Sequence, residues 1–77
     1  MYYQLIYKAA AGCREIQKNI NGKSDLLALL KSYATEPIYR ETIIVSVHQI
    51  TRTGAYLNRT RVKKLNVTKL VEEAKAL

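Results

Sequence analysis

The run IIVSVHQI, residues 43–50, constrains the fold more than any other stretch of this chain. It is dominated by β-branched residues, whose stiff side chains favour an extended backbone. In strict alternation, Ile43, Val45 and Val47 fall on one side, and Ile44, Ser46, His48 and Ile50 on the other. Apolar residues on both sides of one strand mark a central position in a sheet. The rest of the chain must therefore supply flanking strands and a layer to cover at least one face.

Period-two alternation recurs at the start. In MYYQLIYKAAA, Tyr3, Leu5, Tyr7 and Ala9 share one side, and Tyr2, Gln4, Ile6 and Lys8 the other. Gly12 offers a reversal, CREIQKNI reads as a polar edge strand, and Asn21-Gly22 closes the pair with strong turn chemistry. Ser24 then suits a helix N-cap, with Asp25 complementing the positive helix end. LLALLKSYA sets Leu26, Leu27, Leu30, Tyr33 and Ala34 at helical spacing, and Pro37 stops the helix near Thr35.

After the central strand, Thr53-Gly54 predicts a turn. In YLNRTRVKKL, residues 56–65, a helix would scatter Leu57, Val62 and Leu65. A strand gathers Leu57, Arg59, Arg61, Lys63 and Leu65 on one side, with Lys64 beside them. The tail TKLVEEAKAL, with Leu70, Val71, Ala74 and Leu77 on one stripe, reads as a short amphipathic helix that must dock to hold its shape. The expected architecture is an α+β fold of order ββαββα. It is one small basic domain over residues 1–77, with a four-stranded, mainly antiparallel sheet in strand order 2-1-3-4. One helix packs on a face of that sheet. The opposite face then carries Tyr2, Ile6, Ile44 and Ile50, too apolar to stand in water, so either the last helix or a second molecule is expected to cover it.

Charge narrows the function. The chain carries thirteen Lys and Arg against six Asp and Glu. No acid lies between Glu41 and Glu72, an interval that holds Arg52, Arg59, Arg61, Lys63, Lys64 and Lys69. The other seven bases nearly balance the six acids, so the net charge of +7 belongs almost wholly to one segment. Such asymmetry points to an anionic partner. Strand-borne arginines suit phosphate oxygens, and Tyr56 could stack on a base. A solvated edge strand guarded by cations is the plainer account of the same residues.

Catalysis has little support. Cys13 and His48 form no triad with a third orienting group, Gly12, Gly22 and Gly54 are isolated turn glycines, and the chain is too short for a deep cleft. No cofactor, metal or small-molecule substrate is expected, and one cysteine forms no internal disulfide. Of six tyrosines, Tyr3 and Tyr7 read as core, while Tyr2 and Tyr39 stand out as contact candidates. The glycosylation tripeptides at Asn58 and Asn66 read as chance matches. With no secretory leader and no apolar run approaching about 18 residues, a cytoplasmic location and no membrane partner are expected.

The Tyr-rich first strand MYYQLIY, the NGKSDLLALL junction and the β-rich second half resemble, in layout, small phage-encoded accessory proteins, some of them inhibitors of bacterial CRISPR defence. That resemblance implies action in the host cytoplasm. Because the basic balance departs from acidic DNA mimics, it also implies direct contact with a defence complex or its nucleic acid. It assigns no residue a role. Two functions are carried forward: a non-enzymatic module binding nucleic acid or a nucleoprotein complex through Arg52, Tyr56, Arg59, Arg61, Lys63 and Lys64, and a protein-binding inhibitor or adaptor acting on a host protein through Tyr2, Ile6, Ile44 and Ile50. The second face would equally serve a homodimer.

Overall fold

A computed structural model describes residues 1–53 and 59–77 of the chain. Strands β1 (Tyr2–Lys8) and β2 (Ile16–Ile20) form a hairpin, and helix α1 (Lys23–Thr35) follows. A single 3-10 turn, Pro37–Tyr39, leads into β3 (Ile43–Thr53), which pairs with β4 (Arg59–Lys64); helix α2 (Val67–Lys75) ends the fold. The sheet is antiparallel in the order β2-β1-β3-β4. The ββαββα order and the central place of the two most apolar strands thus agree with the pattern of the sequence.

Several boundaries move. β1 stops at Lys8, and Gly12 makes the reversal at φ 86°, a left-handed conformation that favours glycine. Helix α1 begins at Lys23 with extended Gly22 as its N-cap, so Ser24 lies inside the first turn. The turn expected at Thr53-Gly54 and the candidate contact Tyr56 involve residues 54–58, outside the described residues.

Both helices pack on the same face of the sheet. Leu26, Leu27 and Leu30 of α1 and Leu70 and Ala74 of α2 join Tyr3, Leu5, Ile20 and Val47 in one buried cluster. The short dimension of 17 Å suits two layers rather than three. The last helix therefore does not cover the far face, because Leu70 and Ala74 of its apolar stripe are buried in this cluster.

A β-bulge changes which residues share that face. Ile6 pairs with Ser46 but Tyr7 pairs with Ile44, so Val45 is the extra residue on β3. Cross-strand partners point the same way, and Ile44 follows Tyr7 to the helix side, where it packs against the core. Ile44 does not belong with Tyr2, Ile6 and Ile50, and the alternation expected across residues 43–47 fails at this point.

The sheet also narrows at one end. β1 reaches only to Ile50 of β3, through Tyr2, whereas β4 pairs with β3 out to Thr53. Residues 51–53 and 59–61 pair with each other and, among the described residues, with no third strand. This two-strand overhang bears much of the basic segment.

Candidate nucleic-acid interface

Register decides how the cations are displayed. Lys63 stands opposite Gln49 and Arg61 opposite Thr51, on the side that carries Tyr3 and the helices. Lys64 stands opposite His48, and Arg52 opposite Thr60, on the uncovered side. Arg59 pairs with Thr53 where β4 begins. The basic residues therefore do not converge on one face. Arg61, Lys63, Lys64 and Arg52 are all exposed.

Their common feature is the edge. β4 has a partner on one side only, so side chains from both of its faces can turn around the rim. Arg61, Lys63 and Lys64 lie within four positions, and at about 3.3 Å of rise per residue they span roughly 10 Å. A polyanion lying along this rim would meet cations from both sides. A flat ligand on one face would meet Arg61 and Lys63 without Lys64, or Lys64 without the other two.

The uncovered face has its own character. Its strand positions are Tyr2, Gln4, Ile6 and Lys8 on β1, Gln17 and Asn19 on β2, Ile43, Ser46, His48, Ile50 and Arg52 on β3, and Thr60, Val62 and Lys64 on β4. None is acidic. Tyr2 and Ile6 are half-buried, and Val62 is 61% exposed. Ile50 is only 3% exposed yet stands apart from the main core. Its direct cross-strand partners Tyr2 and Val62 flank it within the sheet. An apolar centre is thus bordered by Lys8, Arg52 and Lys64.

At the narrow end of this face lies a shallow recess of about 360 Å³, lined by Tyr2, Asn19, Asn21 and Arg52. It joins one residue from each of two candidate sets, Tyr2 from the apolar face and Arg52 from the basic segment. It also adds two carboxamides that the sequence pattern did not single out. Asn21 reads locally as a turn residue and Asn19 as edge-strand polarity. Only the pairing of β2 with β1, and of β1 with β3, brings them beside Arg52.

A second recess, about 380 Å³, lies on the helix side among Tyr33, Ile44, Val67, Val71 and Lys75, away from the basic edge. Tyr39, a contact candidate in the sequence, is half-buried. Its ring meets Tyr33 edge-on, with centroids 4.8 Å apart. Cys13 is exposed in the β1–β2 connection, whereas His48 lies across the sheet on β3. Among the described residues no three His, Cys, Asp or Glu side chains group as a metal site would require. No described helix is long and apolar enough to cross a membrane.

No family model, curated protein or solved structure matches this chain.

Proposed function

We propose that this chain is a non-enzymatic module that binds nucleic acid, or the nucleic-acid part of a nucleoprotein complex, along the edge formed by β4. What carries this reading is the exposure of Arg61, Lys63 and Lys64 on an edge strand within an acid-free interval from residue 42 to residue 71. The edge can offer charge from both faces at once, and Arg52 extends the same surface onto β3. Phosphate contacts of this kind supply affinity without sequence reading, through release of condensed counterions.

The test is a salt titration. Binding of a labelled oligonucleotide should weaken steeply as salt rises, with a log–log slope of about −0.7 to −0.9 for each phosphate contact. Changing Arg61, Lys63 and Lys64 together to Gln should lower affinity at low salt at least about tenfold and flatten that slope by two to three contacts' worth. The fold should survive, since all three side chains are exposed. Absence of salt-sensitive binding to DNA and RNA alike would remove the reading.

One observation supports a second reading. Among the described residues no helix covers the face bearing Tyr2, Ile6, Ile50 and Val62, which suits contact with a protein such as a component of a host defence complex. Affinity through that surface would respond weakly to salt and strongly to Ile6→Asp. A homodimer through it is disfavoured. Each copy would bring Lys8, Arg52 and Lys64 and no strand-borne acid to answer them.

A further inference from the structure

We propose that the recess lined by Tyr2, Asn19, Asn21 and Arg52 receives one unpaired base of a single-stranded nucleic acid. This inference rests on the nucleic-acid reading above and adds to it the form of the ligand and a specific contact.

The lining supplies what a nucleobase needs and duplex DNA cannot use. Tyr2 is half-buried, so its ring is anchored in the sheet while part of its surface lines the recess. Stacking on a sheet-borne aromatic is the recurring way proteins hold unpaired bases. Asn19 lies on the uncovered face through its pairing with Gln4, and Asn21, one residue past the end of β2, lines the recess beside it. Each exposed carboxamide offers both a donor and an acceptor, the combination that base edges present in return. Bases in a duplex hide their faces in the stack and present phosphates outward, so a ring and two amides would find little to hold.

Arg52 connects this pocket to the basic edge. It lies two residues beyond Ile50, where β3 outruns β1, and pairs with Thr60 on β4. Its guanidinium can take a phosphate of the bound nucleotide or stack on the base itself. The backbone on one side of that nucleotide would then lead onto Arg61, Lys63 and Lys64. No carboxylate lines the recess to repel it. At about 360 Å³ it stands near the small end of the usual range for ligand sites, roughly 300–1,000 Å³. That is room for one nucleoside and not for a stack of several.

The experiment compares labelled oligo(dT) and oligo(rU) with a duplex of equal length, at one low salt concentration and across a salt series. The single strands should bind at least about tenfold more tightly than the duplex. Tyr2→Leu, which keeps apolar bulk in the sheet, should weaken single-strand binding by about 5- to 100-fold and leave the duplex affinity and the salt slope unchanged. Tyr2→Phe should bind as the parent does. Asn19→Ala, at an exposed position that the fold does not depend on, should alter the ranking among homopolymers of different bases; it carries the test if a Tyr2 variant fails to fold. If the duplex binds as tightly as the single strands, or if both Tyr2→Leu and Asn19→Ala leave single-strand binding unchanged, the base pocket is wrong while the basic edge stands. If neither ligand binds in a salt-sensitive way, both are wrong.

Discussion

Tyr33 stands between Tyr7 and Tyr39, with ring centroids 5.3 Å and 4.8 Å away. Burial, a hydrogen bond with Tyr7 and the proximity of both neighbouring phenols push its ionisation up to about 12 from the usual 10. All of these effects favour the neutral phenol. A group whose folded pKa is raised contributes stability in full below its unfolded value and loses it as pH climbs through the folded one. The stack should therefore hold through neutral and mildly alkaline conditions and give way between about pH 10 and pH 12. A tyrosinate absorbance titration should show one phenol ionising only near the top of that window, and Tyr33→Phe should abolish that step. If Tyr33→Phe leaves the high-pH step in place, the assignment fails. The sequence placed Tyr7 and Tyr33 toward the core by periodicity, since each shares a stripe with leucines. It did not place Tyr39, because the 3-10 turn that folds this ring back carries no period from which to read a direction.

Elements show the same division between local and long-range signals. Helix α2 starts one residue earlier than its apolar stripe suggests, with Asn66 as the cap: the Asn66 side-chain oxygen accepts a hydrogen bond from the Lys69 backbone N–H at 3.1 Å. Asn66→Ala should cost about 1 kcal/mol, visible as a lower Tm, because it leaves that N–H without its partner. Asn66→Asp should retain the bond, so a drop as large as that of the alanine variant would argue against capping. The same helix is tied to α1 by Lys23–Glu73 at 3.2 Å, an exposed pair of small worth beside the burial of Leu70 and Ala74. The stripe of Leu70, Val71 and Ala74 showed the helix in the sequence, but Asn66 read there only as part of a chance glycosylation tripeptide and not as the cap. The bulge at Val45 was not legible either. An extra residue in a strand is defined by its partner, and nothing in IIVSVHQI itself says that Tyr7 will meet Ile44 rather than Val45. Alternation alone therefore sent Ile44 to the wrong side. It correctly separated Lys64 from Arg61 and Lys63, but it could not say which set would share a side with the helices. The recess of Tyr2, Asn19, Asn21 and Arg52 was illegible for the same reason, as it draws on three strands and exists only once their order and register are set.

At the scale of the whole molecule, the two helices gather on one side and the sheet narrows from four strands to two. β1 and β2 hold the body of β3 and the helices cover it, whereas residues 51–53 and 59–61 have only each other. The amide protons of this fold should accordingly exchange with solvent deuterium on two schedules. Those of Leu5 and Val47, fully buried at 0% exposure, should open only with global unfolding. Those of Thr51 and Arg61, which face each other across the overhang, should exchange at least about tenfold faster, through a local parting of the overhang that leaves the body intact. Equal protection in both places would show the sheet to be one cooperative block. Bound nucleic acid should slow the overhang selectively, and the degree of slowing would measure how much ordering the ligand itself imposes. A protein arranged in this way keeps its lasting structure at one end and its readiness to be reshaped at the other. Mutations that stiffen the overhang would then trade breadth of ligand for speed of capture, whereas changes in the body would reach recognition through Tyr2, Asn19 and the register that sets them beside Arg52.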